Sequence, residues 1–377
     1  MIPENEQYAK LGVMGLRGCE GLIGKVDSYL RQWDVDGGGH GKSKIVHAEC
    51  PRFRSGEGKG IITQSIRGYD LFILCDLFNY GVTYQMYGIT VPMGPDEHYQ
   101  DLKRVIMATN GKARRITVIM PMLYEGRQHR RFARESLDCA VALQELSGMG
   151  VDNLITFDAH DPRVQNAIPL KGFENVQPTY QMIRTLIRTV PDLDIHPDKL
   201  VIVSPDEGSM SRCIYYASVL GIDLGMFYKR RDYTTIVDGR NPIIRHEFLG
   251  ESVEGKDVIV VDDMISTGDS FMSISENLKK RGARRIFIFA TFGLFTEGVE
   301  GFHEAYRNGM IERVFTTNLL YRDTALLCSP WYTEVDMSKY IAYIISTLNC
   351  DHSISQLLNP VQKIKRVVED KQRGVLR

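Results

Sequence analysis

Residues 258–270, VIVVDDMISTGDS, hold the most chemically pointed spacing in the chain. Four apolar β-formers lead directly into the adjacent carboxylates Asp262 and Asp263. Two hydrophobic residues later come Ser266, Thr267, Gly268, Asp269 and Ser270, and a helical apolar period begins at once. Backbone N–H groups in such a turn, and the positive end of the helix that follows, favour a phosphate. The two acids reach sugar hydroxyls, either directly or through a bound cation. An ordinary strand–turn–helix with a capping Ser or Thr has the same outline, but adjacent acids at a strand's carboxyl end are costly unless something uses them. The segment therefore reads as a grip for a phosphorylated sugar.

Other segments carry groups suited to phosphates and cations. GRQHRR (126–131) follows the apolar run ITVIMP. It is either a cationic loop for polyphosphate or a solvated basic turn. His160 stands between Asp158 and Asp161, just past the run NLITF. A lone imidazole is more often structural than a ligand, and this flanking makes His160 a metal candidate. Asp206 closes LVIVSPD (200–206), and Lys229 and Arg231 lie in FYKRRDY (227–233). One near-motif fails. DVDGGGHGKSK (34–44) contains GKS, but Asp36 stands where a phosphate loop needs its first glycine and no apolar strand leads in, so a mobile loop is expected.

These residues need elements to hold them. Apolar runs recur at 69–75, 115–121, 153–158, 200–206, 258–263 and 285–291, each followed by turn residues and a helical pattern. Weaker ones surround Val46, Met226 and Val314. Continuous apolar strands alternating with helices specify parallel sheets covered on both faces. In open sheets of this kind, ligands bind beyond the carboxyl ends of the strands. Residues 76–100 lack a clear period and read as an insertion, and the tail after Pro360 reads as a solvated helix.

At 377 residues the chain exceeds one comfortable core, so two domains are expected. With 46 basic and 47 acidic residues, it lacks the basic excess of a general nucleic-acid binder. Seven cysteines, an odd number without metal or redox spacing, point to a reducing compartment. MIPENEQYAK lacks a signal-peptide profile, and no apolar run approaches the ~20 residues of a membrane span. Cytoplasm is the expected location.

Taken in order, the segments resemble the phosphoribosyl pyrophosphate synthetases (ribose-phosphate diphosphokinases), which share their sugar-phosphate loop with type I phosphoribosyltransferases. The resemblance runs from about residue 15 to 358, in five motif blocks. It also takes in RFRSGEGKG (52–60), and insertions at 76–100 and 232–247 mark a divergent member. It implies two tandem type I phosphoribosyltransferase-like α/β domains, each a mainly parallel sheet flanked by helices. Residues 1–175, joined by the C-terminal helix 338–377, would be the ATP side, and 176–337 would carry the ribose-phosphate loop. Phe53, Glu57, Arg127 and Gln128 match ATP-binding positions. His160 and Asp206 match residues associated with Mg²⁺, and Lys229 and Arg231 match the charge-stabilising pair of a flexible loop. Residues 266–270 would hold the 5-phosphate, and Asp262 and Asp263 the ribose hydroxyls or a second cation.

The chain departs from the family at Ser55, at His129 (usually Asp), at Asp161 (alanine), at Ser209 (glycine) and at Phe292 (histidine). The implied reaction transfers the diphosphoryl group of MgATP to the C1 hydroxyl of ribose 5-phosphate. The implied assembly is a dimer-based homo-oligomer, commonly a hexamer, without nucleic acid or membrane partners. Three rivals are a type I phosphoribosyltransferase, a non-catalytic regulatory homologue, and a diphosphokinase for another ribose 5-phosphoester. Asp269 motivates the last, since a carboxylate pointing at the phosphate would repel it.

Overall fold

The structure, a computed structural model, describes residues 7–231 and 243–374, with the side chains of residues 229–246 outside the described residues. The chain divides into two compact units. Unit one takes the chain up to Pro178 and returns for Asn318–Asp323 and Asp336–Asn359. Unit two takes Thr179–Thr317, Thr324–Val335 and the chain from Pro360 on.

Unit one begins β1 (Lys10–Gly15), α1 (Glu20–Asp36), β2 (Ala48–Glu49), β3 (Ile61–Ile62) and β4 (Tyr69–Leu74). It continues β5 (Thr83–Met86), β6 (Ile89–Pro92), α2 (Pro95–Thr109), β7 (Arg115–Ile119), α3 (Asp138–Gly148), β8 (Asn153–Phe157) and β9 (Gly172–Val176). The parallel sheet runs β1-β4-β7-β8-β9. Its middle strands are apolar on both faces because helices cover both, and Leu71, Ile73 and Val118 are fully buried. Residues 76–100 hold more structure than their composition suggests. Tyr87 and Gly88, both with positive φ, close the β5–β6 hairpin, and α2 starts at Pro95.

Helix α1 likewise runs through Asp36, three residues into the stretch expected to be loop. The loop after it is tied down by carboxylates. Gly41 N–H donates to Asp34 (2.7 Å), Lys44 N–H to Asp27 (2.7 Å) and the Ser43 hydroxyl to Asp27 (2.9 Å). These acids take the donors that a phosphate would need.

The chain then runs α4 (Thr179–Thr189), β10 (Leu200–Ser204), α5 (Met210–Leu220), β11 (Asp223–Arg231), β12 (Ile243–Leu249), β13 (Asp257–Ile265) and α6 (Asp269–Lys280). It proceeds through β14 (Ile286–Gly293), α7 (Glu300–Arg307), β15 (Arg313–Thr317), α8 (Thr324–Leu327) and β16 (Tyr332–Val335). Last come α9 (Ser338–Asn349), α10 (Ser355–Leu358) and α11 (Val361–Gln372). The seven-stranded sheet of unit two has the order β12-β11-β10-β13-β14-β15-β16, with only β12 antiparallel to its neighbour. Strand order reverses between β10 and β13, which makes that junction a topological switch point. Helices α9 and α10 cluster with unit one, whereas α11 packs on α4 and α5 and buries Ile364 in unit two.

In each sheet an inner strand carries a fully buried aspartate within its first two residues. Asp70 on β4 accepts from Arg115 Nε (2.8 Å) and Nη2 (2.7 Å) and from Asn349 Nδ2 (2.9 Å). Asp257 on β13 accepts from Arg284 Nε (2.8 Å) and Arg285 Nη2 (2.7 Å). Such charges are tolerated inside only when bonded this fully. Arg115 Nη2 also donates to the Leu348 carbonyl (2.7 Å), so one guanidinium fastens α9 to the sheet of unit one.

Candidate active site

At the switch point of unit two, β10 delivers Asp206 and β13 delivers Asp262 and Asp263. β13 does not end at the acids. It keeps pairing through Ile265 with Gly293 of β14, so the carboxylates sit on a rigid strand rather than in a loop. Asp206 Oδ1 accepts from the amides of Gly208 (2.9 Å) and Ser209 (3.3 Å). Asp262 Oδ1 accepts from the Ser209 hydroxyl and from Asp263 N–H (2.8 Å), with Arg212 Nη1 at 3.8 Å. Burial, and then the neighbouring Asp263 carboxylate, push the Asp262 pKa well above the ordinary carboxylate range.

The turn after β13 is set by one glycine. Gly268 caps α6 with φ 96°, and a Cβ there would lie 2.5 Å from Phe302 Cε2. Only glycine fits both the conformation and the space. α6 then buries Phe271, Ile274, Ser275 and Leu278, one face at helical spacing, and places Lys279 and Lys280 at its negative end. Ser266, Thr267 and Ser270 stay at least partly exposed around the first turn, whose N–H groups lack intrahelical acceptors. The exposed Asp269 carboxylate accepts from the Thr267 hydroxyl (3.0 Å), and Asp269 N–H donates back to that oxygen (3.3 Å).

In unit one, β7 ends in the loop carrying Arg127, Gln128 and His129, and β8 ends in the turn carrying His160. Arg127 is exposed and Gln128 half-buried. A positive φ at Asp158 turns the chain after β8, and Ala159 N–H donates to Asn175 Oδ1 (2.9 Å), leaving His160 exposed. The His129 and His160 rings lie 5.5 Å apart, and His129 Nε2 is 3.4 Å from Asp161. Burial lowers the pKa of His129. Asp161 is neutralised locally. Arg163 donates to it through Nε (2.9 Å) and through its backbone N–H (2.9 Å), which holds the carboxyl well below its usual range. Phe53 and Glu57 occupy an exposed turn closed by Phe53 N–H to the Glu57 carbonyl (2.7 Å), and Ser55 donates to Glu57 (2.9 Å).

Lys229 and Arg231 end β11, where backbone pairing with β12 shifts register at Arg230/Arg231; their side chains lie outside the described residues. Phe292, at the position where the resemblance has histidine, is buried in β14 and offers no chemistry. Among the described residues, no three of His, Cys, Asp and Glu converge to cage a cation. Mg²⁺ needs no such cage, because it binds through one or two carboxylates plus substrate phosphates and waters. The oxygen donors of Asp206, two of whose bonds are to the Gly208 and Ser209 amides, fit that requirement. The sequence marked Ser209 only as a departure from glycine and gave Arg212 no role; their three-residue spacing at the start of α5 was the available sign.

The reversed strand order, the carboxylates at its switch point and the glycine-hinged loop define an α/β protein of the phosphoribosyltransferase fold. Residues 12–150 match the N-terminal domain of ribose phosphate pyrophosphokinase, 172–296 the phosphoribosyl transferase domain, and 245–359 the phosphoribosyl synthetase-associated domain. The chain belongs to the ribose-phosphate pyrophosphokinase family, as a divergent member. It is 29% identical over 315 residues to the ribose-phosphate pyrophosphokinase of Vibrio parahaemolyticus, covering 83% of this chain and 91% of that one. Against that of Shewanella oneidensis it is 29% identical over 319 residues, covering 84% and 92%. The crystal structure of phosphoribosylpyrophosphate synthetase from Mycobacterium smegmatis shares the fold. Its TM-score is 0.72 at 21% identity, over 90% of this chain and 98% of that one.

Proposed function

We propose that this enzyme transfers the diphosphoryl group of MgATP to the C1 hydroxyl of ribose 5-phosphate, giving 5-phosphoribosyl 1-diphosphate and AMP. The observation that carries the reading is the switch point itself, where Asp206 and Asp262 stand beside an open phosphate loop on α6. The C1 oxygen attacks the β-phosphorus, the bond from that phosphorus to the α,β-bridging oxygen breaks, and the hydroxyl proton leaves to solvent. Such transfers need positioning and charge neutralisation more than covalent help.

Loop 266–270 binds the 5-phosphate through the amides of Thr267 and its neighbours and the hydroxyls of Ser266 and Ser270, while the Thr267 hydroxyl holds the Asp269 carboxylate. Asp262 and Asp263 orient the ribose through its hydroxyls. Arg127 and Gln128 bind the polyphosphate of ATP, and Phe53 and Glu57 serve its adenine. Lys229 and Arg231 neutralise charge as it develops. When bound, Mg²⁺, held by Asp206 and His160, supplies further neutralisation of the triphosphate. The ATP side belongs to residues 1–175 with α9 and α10, and the sugar side to 176–337, on which α11 packs. A homo-oligomer is the working assembly, and the cytoplasm its location.

Asp269 does not require a different acceptor, because its carboxylate is engaged by the Thr267 hydroxyl. Purified protein incubated with MgATP and ribose 5-phosphate should release AMP. Release no faster than in the absence of sugar rejects the proposal.

A further inference from the structure

We infer that the Ser209 hydroxyl is a positioning group for ribose: it fixes Asp262 so that one carboxylate oxygen is kept for a sugar hydroxyl. The inference rests on reading the switch point as a ribose 5-phosphate site. Ser209 is buried and opens α5 in helical conformation, yet its side chain makes no capping bond to that helix. Its hydroxyl is spent instead on Asp262 Oδ1, a residue 53 positions away. Its backbone N–H donates to Asp206 (3.3 Å). Any residue at 209 offers that amide. Only a hydroxyl residue also reaches Asp262, and the resemblance noted above has glycine here.

Every donor that the described residues bring to Asp262 falls on Oδ1: the Ser209 hydroxyl, Asp263 N–H at 2.8 Å and the Arg212 guanidinium at 3.8 Å. An ionised carboxylate has about four acceptor sites, two on each oxygen. Loading Oδ1 fixes the carboxylate plane and leaves the acceptor capacity of Oδ2 for a ligand. A cation chelated by both oxygens would have to displace these donors, so the arrangement suits a hydroxyl donor better than a metal. Of the two duties that the sequence left open for Asp262, Ser209 selects the ribose one. The same residue holds Asp206 by its amide and Asp262 by its hydroxyl, so it also sets the spacing between them.

The test compares wild type with Ser209→Ala and Ser209→Gly, two variants that lose the hydroxyl with different backbone preferences. The assay follows AMP release with ribose 5-phosphate and with its 2-deoxy and 3-deoxy analogues. Loss of one charge-assisted hydrogen bond should raise KM for ribose 5-phosphate roughly tenfold in both variants. KM for MgATP should move less than about twofold, as expected of a group that acts on one substrate only. The preference of the wild type for ribose over one of the deoxy sugars should also collapse in both variants, because the removed partners belong to one interaction. A merely structural serine would shift both KM values together and keep the sugar preference, and that result overturns the inference. If the wild type releases no AMP, the reaction assignment fails instead. Calorimetric binding of ribose 5-phosphate to the three proteins then tests Ser209 alone, and equal affinities reject it.

Discussion

Gly268→Ala should damage stability and sugar binding together. The added Cβ would lie 2.5 Å from Phe302 Cε2 and 2.7 Å from Cζ. The ring cannot step aside. It is 2% exposed, stacked on Trp331 at 5.2 Å and set edge-on to Phe295 at 5.1 Å. The backbone also sits at φ 96°, where a β-carbon costs about 1–3 kcal/mol. Overpacking a rigid core adds about 1–3 kcal/mol. The sum, about 2–6 kcal/mol, can be relieved only by moving the loop off its phosphate-binding geometry. Urea unfolding followed by Trp331 fluorescence, in a Trp33→Phe background, reads the stability cost beside the perturbed ring. AMP-release kinetics should show KM for ribose 5-phosphate rising at least tenfold. Gly301→Ala is the control: it lies in α7 with nothing within 4 Å of the new atom, and should stabilise by about 0.5–1 kcal/mol. A Gly268→Ala protein within about 0.5 kcal/mol of wild type, with unchanged KM, would refute the reasoning.

Asp76 gives a pH test. Burial pushes its carboxyl up to about 6, although Phe78 and Tyr321 amides donate to it. Its folded pKa exceeds the unfolded value of about 3.9, so its contribution is full below that value and lost as pH rises through about 6, on the order of 3 kcal/mol. The stability advantage of Asp76→Asn over wild type should therefore grow between pH 4 and 7, and a flat difference in urea midpoints contradicts this. Asp70→Ala strips Arg115 of its buried partner and should cost about 3–5 kcal/mol by denaturant unfolding; a loss under about 1 kcal/mol would show the pair to be dispensable. Lys229→Ala should lower turnover by orders of magnitude with the unfolding midpoint preserved, and near-normal turnover removes Lys229 from the mechanism.

Much of this was legible in the sequence, because parallel strands buried on both faces write themselves as unbroken apolar runs. VIVVDD, LVIVS and RIFIFAT each lie on the strand that they spell. The β5–β6 hairpin was missed because its strands are short and half-exposed, although Tyr87-Gly88 carried a turn signal. The need for glycine at 268 depends on Phe302, which no local pattern brings near. The Ser209–Asp262 bond was invisible for the same reason. Residue type suggests a donor, and only the fold supplies its acceptor. Asp161 stood out in the sequence only as a departure from alanine, and its bond to Arg163 belongs to the fold.

The way Arg115 and Asp70 bind α9 has a consequence for synthesis. Their partners Leu348 and Asn349 lie 233 and 279 residues further along the chain. Bringing such distant positions together costs roughly 5 kcal/mol of loop-closure entropy in a flexible chain. The amino-terminal half can pair Asp70 with Arg115 once β7 is made, but Asn349 and the Leu348 carbonyl reach that pair only after α9 is synthesised. A chain that stops before α9 leaves this buried pair short of two partners, so truncation late in the sequence should weaken the unit that is made first.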